Sequence, residues 1–253
     1  MTELLEKEKL NIETLLRSIN LVYDADKPDR ISHFYPTSKA IALIKSLLGL
    51  SNDKAFFITA PYGSGKSLTA TYVVQVIENS REGFPVLKDI AAKVSEISDE
   101  LGDYLKNRLS SKKKGLTITL QGHVDNLSWA LRESIEESLN RMGLDSFNIL
   151  FGSDFSNMKS SLSSIKAIID NNKKVVFDRI SLIWDEFGRH IETLIAEGRS
   201  TELNDIQTIA EFASRFSSVP FSIVLMLHQN LMNYVGKSPQ SIKKEWKKNE
   251  GRF

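Results

Sequence analysis

The chain has 253 residues, 41% of them hydrophobic and 26% charged, enough for one large packed domain and a composition that argues against global disorder. Its formal net charge of +1 singles out no nucleic-acid, membrane or acidic partner. There is no cysteine, which excludes disulfides and thiolate metal sites and fits a reducing compartment.

The charged start, "MTELLEKEKL", has no apolar signal core, and the longest apolar runs, "AFFITA" and "FSIVLML", are too short to span a bilayer. The chain therefore reads as soluble and cytoplasmic. Leu5, Ile12, Leu16 and Ile19 predict an amphipathic helix over 3–20, packed on the domain or on a partner. A turn-rich aromatic stretch, 23–39, leads into a helix "KAIALIKSLLGL" that Ser51-Asn52-Asp53 breaks. "AFFITA", 55–60, is a short buried strand, followed by a glycine loop and the helix "KSLTATYVVQVIEN". Leu87, Ile90, Val94, Ile97, Leu101 and Leu105 form one stripe and predict helix over 86–110.

A solvated turn, "KKKG" at 112–115, precedes a second strand, "LTITL" at 116–120, and a helix over 126–142 that stops at Gly143. The Gly-, Ser-, Asp- and Asn-rich stretch 144–160 reads as a loop and 161–170 as a short helix. "ISLIWDEFG", 180–188, is a third strand running out onto two acids. Helices near 189–197 and 203–217 come before a fourth strand, "FSIVLML" at 221–227, and the tail from Lys237 is polar, with helix expected around 243–248. Strands alternating with helices predict an α/β fold with a mostly parallel sheet covered on both faces. There is no internal repeat. Residues 1–50 are expected to pack as a helical segment on a core formed by 51–253.

The stretch "APYGSGKS", 60–67, lies between a strand and a helix, the context that a phosphate-gripping loop requires. Gly63 and Gly65 let the backbone curl so that successive N–H groups point at phosphate oxygens. The helix that follows offers its N-terminus to the same anion. Lys66 is placed to reach the β- and γ-phosphates, and the Ser67 hydroxyl to take a magnesium coordination position. Ala60 stands where G-x-x-x-x-G-K-[ST] has its first glycine, at the strand end, where alanine is the mildest replacement. A second motif strengthens the first. In "ISLIWDEFG" the acids emerge at a strand's carboxyl end, where sites gather in parallel α/β sheets. Asp185 suits the magnesium shell, and Glu186 suits orienting and activating the water that attacks a γ-phosphate. Such a pair fits hydrolysis better than transfer to a small molecule. ATP is taken over GTP because no guanine-reading Asn/Thr-Lys-x-Asp motif occurs.

With these two motifs the chain resembles the AAA+ branch of P-loop ATPases over roughly residues 30–253. The resemblance implies a P-loop NTPase core of the ASCE type, with "LTITL" and helix 126–142 as an extra strand–helix pair between the Walker A and Walker B motifs. It makes "FSIVLMLHQN" the strand that carries a polar sensor. His228 or Gln229 falls at that position, with Asn230 less favoured, whereas the family prefers Asn, Ser or Thr. "EGRF", 250–253, is similar to the Gly-Arg-Phe that follows the sensor in the family, which implies that Arg252 reaches a neighbouring subunit's site and that the chain forms a homo-oligomer. The family's fifth core strand and helical lid have no counterpart up to Phe253, so the chain reads as the N-terminal part of a longer protein. "HFYPTSKAIALI", "APYGSGKS", "LIWDEFGRHIE" and "LHQN" together resemble the ATPase module of large bacterial anti-phage proteins, as in BREX-type phage-exclusion systems. That likeness implies other defence or DNA-processing proteins, and DNA, as partners.

The resemblance thus implies magnesium-dependent ATP hydrolysis coupled to conformational change or assembly. Lys66, Glu186, Gln229 and Arg252 take catalytic roles. Pro61, Tyr62, Gly63, Ser64, Gly65, Lys66, Ser67, Leu68 and His228 take nucleotide contacts, and Ser67 and Asp185 take the metal. The alternatives are a nucleotide-gated scaffold with little turnover and an inactive fragment of a larger ATPase. His33, Phe34 and Tyr35 read equally as an adenine contact or as a hydrophobic anchor. Arg189 and His190 read more simply as a solvated helix start than as contacts to phosphate or a neighbouring subunit, Lys112–Lys114 and Lys243–Lys248 as solvated charge rather than DNA contacts, and Trp129, Trp184 and Trp246 as packing. His123 is one of four histidines with no metal-binding spacing.

Overall fold

A computed structural model describes residues 18–51, 53–171, 175–236 and 243. Among them, two helices open the chain, α1 (Pro28–Ile31) and α2 (Ser38–Leu47), ahead of β1 (Ala55–Thr59). Three helices, α3 (Lys66–Glu78), α4 (Phe84–Ser95) and α5 (Asp99–Ser110), lead to β2 (Lys114–Gln121). Next come α6 (Leu127–Arg141), α7 (Ser146–Leu150), α8 (Met158–Asn171) and β3 (Phe177–Asp185). After β3 follow α9 (Phe187–Ala196), a 3₁₀ turn at Ser200–Glu202, α10 (Leu203–Arg215), β4 (Phe221–Leu227) and α11 (Leu231–Val235).

The four strands form one parallel sheet in the order β1-β4-β3-β2. The chain crosses from β1 to the far edge at β2, then returns through β3 and inserts β4 against β1. Because crossovers in parallel sheets share one hand, reversing direction puts the connecting helices on opposite faces. Two apolar cores result. Ile183, Val224 and Met226 pack with α2 to α5, and their strand neighbours Leu182, Trp184, Ile223 and Leu225 pack with α6, α8, α9 and α10, following the period-two alternation of a strand buried on both sides. The N-terminal turn joins the first core through Leu21, Ala25 and Ile31. Among the described residues, no helix is long and apolar enough to cross a membrane.

Polar side chains close the β2 edge. The Thr117 and Thr119 amides donate to the Ser138 and Ser134 hydroxyls of α6, at 3.2 and 2.6 Å, so these two backbone donors of an edge strand are satisfied within the fold. The Ser138 hydroxyl in turn donates to Glu78 at 2.8 Å, as does the Thr117 hydroxyl, and Arg141 pairs with the same carboxylate at 2.6 Å. Glu78 is only 2% exposed. Arg108 makes a second clamp, donating to Asp178 at the start of β3 and to the Ile77 carbonyl near the end of α3.

The structure departs from the sequence expectations at several places. The 86–110 stripe lies on two helices rather than one. Ser98 caps α5 by accepting the Leu101 amide, and α5 folds back on α4 so closely that a Cβ at Gly102 would lie 2.0 Å from Ser95 Oγ. Five of the six stripe positions remain buried while Ile97, at the break, is 41% exposed. The expected loop 144–160 contains α7 and the start of α8, nucleated by Asp145 accepting the Asn148 amide and Asn157 accepting the Ser160 amide. The third strand runs from Phe177 and stops at Asp185, because Glu186 turns left-handed and α9 begins at Phe187. Helices α1 and α11 have no counterpart among the sequence expectations. Residues 18–20 are not helical; the rest of the predicted first helix, the basic tail beyond Lys243 and Arg252 lie outside the described residues.

The buried Glu78–Arg141 pair gives a stability test. Glu78→Ala strands a buried guanidinium and is expected to cost about 3–5 kcal/mol in urea unfolding, whereas Glu78→Leu combined with Arg141→Met should recover most of that loss. Equal unfolding midpoints for wild type and Glu78→Ala would contradict the assignment of this network as structural.

Candidate active site

The loop that follows β1 starts beside the end of β4, where the Ala60 amide donates to the Leu227 carbonyl at 3.1 Å. Ala60 thus continues the sheet's hydrogen bonding, and its methyl group is tolerated there. Gly63 and Gly65 adopt φ of 72° and 83°, and Gly65 is the N-cap of α3 with no side chain capping it. A side chain at either glycine would be strained by that backbone. The uncapped first turn leaves helix N–H groups facing the loop.

Lys66 folds back under this loop. It is 5% exposed, and its ammonium donates to the Ala60 and Pro61 carbonyls at 2.5 and 3.1 Å. Burial holds its pKa below the ordinary lysine value, while Asp185 and Glu186 pull in the opposite direction. The next residue makes the decisive contact: the Ser67 hydroxyl donates to Asp185 Oδ2 at 2.5 Å, across 118 positions of sequence. Asp185, the last residue of β3, is 1% exposed, and its Oδ1 accepts the Glu186 amide at 2.8 Å.

Glu186 takes φ 51° and ψ 33° as the N-cap of α9, a left-handed conformation that costs a non-glycine residue roughly 1 kcal/mol or more. The kink turns the chain from the sheet into α9 and leaves the carboxylate beside the loop. Its Oε2 lies 3.1 Å from the Arg189 guanidinium, and its Oε1 lies 3.9 Å from His228 Nε2. His228 follows β4. Its ring stacks on Tyr62 with centroids 3.4 Å apart, its Nδ1 is 3.5 Å from the Lys66 ammonium, and its amide donates to the Tyr234 hydroxyl at 3.3 Å. Burial first, then Lys66, lowers the His228 pKa, with Asp185 opposing and Arg189 adding to the decrease. His228 Nε2 is buried without a hydrogen-bond partner.

A cavity of about 390 Å³ opens at this point, lined by Pro61 and Tyr62 of the loop, Arg189 and Glu192 of α9, and His228 and Gln229. A larger one, about 750 Å³, lies between α7 and α8 and includes none of these groups. Comparison with protein-family models, with curated proteins and with solved structures finds no match. What this chain does is therefore read from its own side chains.

The structure brings Lys66, Ser67, Asp185, Glu186 and His228 together. Gln229 is exposed at the cavity rim, and Asn230 caps α11 by accepting the Met232 amide at 2.9 Å. Of the three sensor candidates, His228 alone packs among the loop and the acids. Pro61, Tyr62 and Ser64 are exposed on the loop, and Leu68 turns its side chain into the first core. Phe34 is a core anchor against Tyr72 of α3, while Tyr35 is exposed. Arg189, which the sequence reads first as a solvated helix start and second as a phosphate contact, pairs with Glu186 three residues before it. No sequence signal pointed to Tyr234. Among the described residues, no group of three or more His, Asp or Glu side chains could hold a metal. Ser67 and Asp185 nonetheless form an oxygen pair suited to a hard cation that keeps most of its waters. The open glycine loop, the buried ammonium resting on neutral carbonyls and the unpartnered His228 Nε2 together fit a phosphate chain with such a cation.

Behind Glu186, His190 is 3% exposed against Trp184, and its Nδ1 lies 3.1 Å from His123 Nδ1. Burial, then His123, pushes its pKa from 6.5 to about 4, with Glu202 opposing and Arg199 reinforcing. His190 is thus neutral in the fold at pH values where the unfolded chain already protonates it. The stability this neutrality provides is complete above pH 6.5 and is lost as pH falls toward about 4, up to roughly 3 kcal/mol. His190→Phe should flatten that acid limb in urea unfolding measured from pH 7 to pH 4.5. An unchanged slope would reject it.

Proposed function

We propose that this chain is a magnesium-dependent ATPase module of P-loop type, AAA+-like in its core, with its nucleotide held between the glycine loop and the ends of β3 and β4. The observation that carries this reading is the Ser67–Asp185 hydrogen bond of 2.5 Å, flanked by Lys66 and Glu186. The sheet order adds support, since the strand–helix pair between the two motifs lies at the outer edge and leaves β4 between the loop strand and the acid strand.

Each residue then has a task. The backbone N–H groups of the loop and of the first turn of α3 receive phosphate oxygens. Lys66 exchanges two neutral carbonyls for charged oxygens, a stronger class of hydrogen bond. Ser67 and Asp185 would hold magnesium, which when bound neutralises charge on the phosphates. Glu186 orients a water and accepts its proton as the water oxygen bonds to the γ-phosphorus and the β–γ bridging bond breaks, releasing ADP and phosphate. His228, with a free Nε2, is suited to a hydrogen bond with the terminal phosphate or that water. The output would be conformational change or assembly, with further copies of the chain, or with the defence or DNA-handling proteins that the resemblance implies.

A slow, nucleotide-gated scaffold is the second reading, favoured by Glu186 being engaged by Arg189 at 3.1 Å. The two readings separate in one experiment on ATP binding and phosphate release with and without magnesium. Lys66→Ala should weaken ATP binding at least about tenfold, and Glu186→Gln should keep binding while hydrolysis falls about 10²- to 10⁴-fold. Tight binding with negligible wild-type turnover would favour the scaffold. No magnesium-dependent binding by the wild type would reject the nucleotide reading.

A further inference from the structure

We propose that Arg189 stabilises the charge on the transferred phosphoryl group, supplied by this chain to its own site, and that in the nucleotide-free protein the same guanidinium rests on Glu186. This inference depends on the ATP-hydrolysing reading above.

The root of Arg189 is fixed and its head is exposed. Its amide donates to the Glu186 carbonyl at 2.9 Å, closing the first turn of α9. That turn is pressed onto Tyr234 so tightly that a Cβ at Gly188 would stand 2.2 Å from the ring. The Arg189 side chain is nevertheless 61% exposed against 18% for Glu186, so this i,i+3 pair is open to solvent on its arginine side, where a guanidinium can exchange partners.

Arg189 borders two cavities, of which the second is also lined by Glu186. One, of about 390 Å³, it shares with Pro61 and Tyr62 of the glycine loop; the other, of about 570 Å³, with Gln121 and His123. Among the described residues lining the first cavity, it is the one permanently charged cation. Lys66 lies beneath the loop on backbone carbonyls. A terminal phosphate arriving there would face the carboxyl groups of Asp185, Glu186 and Glu192, with Lys66 as the other cation that the described residues place beside the loop. A second cation is needed for the charge that spreads over the equatorial oxygens in phosphoryl transfer, and a planar guanidinium matches those oxygens.

The exchange also sets the order of events. When Arg189 leaves Glu186 for the phosphate, the carboxylate is released to take the proton of the attacking water. The new bond joins the water oxygen to the γ-phosphorus, the bridging bond breaks with its electron pair going to ADP, and Arg189 keeps its proton throughout, contributing hydrogen bonds alone.

The test uses the full chain, with Arg189→Ala and Arg189→Lys against wild type. It measures ADP and ATP affinity, phosphate release across a wide range of protein concentration, and trapping of ADP with aluminium fluoride as a mimic of the transferring phosphoryl group. The expected result is nucleotide affinity within about threefold of wild type, hydrolysis lowered about 10³- to 10⁵-fold in Arg189→Ala, and loss of the trapped complex, with Arg189→Lys recovering part of each. Turnover per chain should not depend on protein concentration. The trap reports on Arg189 even where turnover is slow, and circular dichroism melting verifies the fold of both variants. Wild-type trapping and turnover in Arg189→Ala would overturn the proposal. So would turnover that rises with protein concentration and collapses in Arg252→Ala, which would assign the arginine to a neighbouring copy. If the wild type binds ATP, such a failure is confined to Arg189. If it binds no nucleotide, the ATPase reading fails and this inference falls with it.

Discussion

The position of β4 between β1 and β3 is the constraint on which the rest of the structure depends. In an all-parallel sheet every strand ends at the same edge, so inserting β4 there brings three chain segments together: the glycine loop after β1, the acids that end β3, and His228 after β4. The pairing of Thr59 with Leu227 and of Trp184 with Leu225 sets how far each strand extends toward that edge. The Ser67–Asp185 hydrogen bond is a consequence of this register. It requires α3 to start directly beside the end of β3, which the reversal of crossover direction provides by sending α3 to one face and α9 to the other.

Groups that would destabilise an ordinary core gather at this edge. Lys66 is buried with its pKa lowered, Glu186 is left-handed, and His228 Nε2 is unpartnered. Satisfied polar groups gather at the opposite end. Arg108 donates to carbonyls of α3 and to Asp178, and Glu78 accepts from Thr117, Ser138 and Arg141. Arg108 and Glu78 each have a charged partner, although Asp178 Oδ1 is itself buried without a hydrogen bond, and such paired networks rigidify a fold. Strain is thus placed where a ligand would relieve it, and rigidity where none is needed.

Much of this was legible in the sequence, for physical reasons that also mark its limits. β4 is legible to the residue because six of its seven positions are apolar, Ser222 being the exception, and such a run buried on both faces leaves little ambiguity. The glycine loop was legible because only glycine accepts φ of 72° and 83° without strain. The end of β3 was misjudged, since the left-handed turn at Glu186 replaces a residue type normally found there and leaves no compositional trace. The α4–α5 boundary was hidden by a stripe that keeps its period across two helices, with Ser98 as the only local signal. Strand order was not legible at all. Nothing local to 221–227 shows that it pairs with both 55–59 and 180–184, and it is this pairing that singles out His228 from Gln229 and Asn230.

Each cation of the candidate site rests on a partner within the chain, Lys66 on the Ala60 and Pro61 carbonyls and Arg189 on Glu186. On the proposed reading a terminal phosphate competes for both at once, so binding must move two side chains rooted on different elements, α3 and α9. α9 is locked to α11 through Gly188 on Tyr234, and Tyr234 in turn accepts the His228 amide at the end of β4. A change at the phosphate therefore reaches α9, α11 and the β4 terminus through contacts already in place, without any need to disturb the two apolar cores. That geometry favours an output carried by the α9–α11 surface, since the other walls of the site, α3 and the strand ends, are fixed by burial.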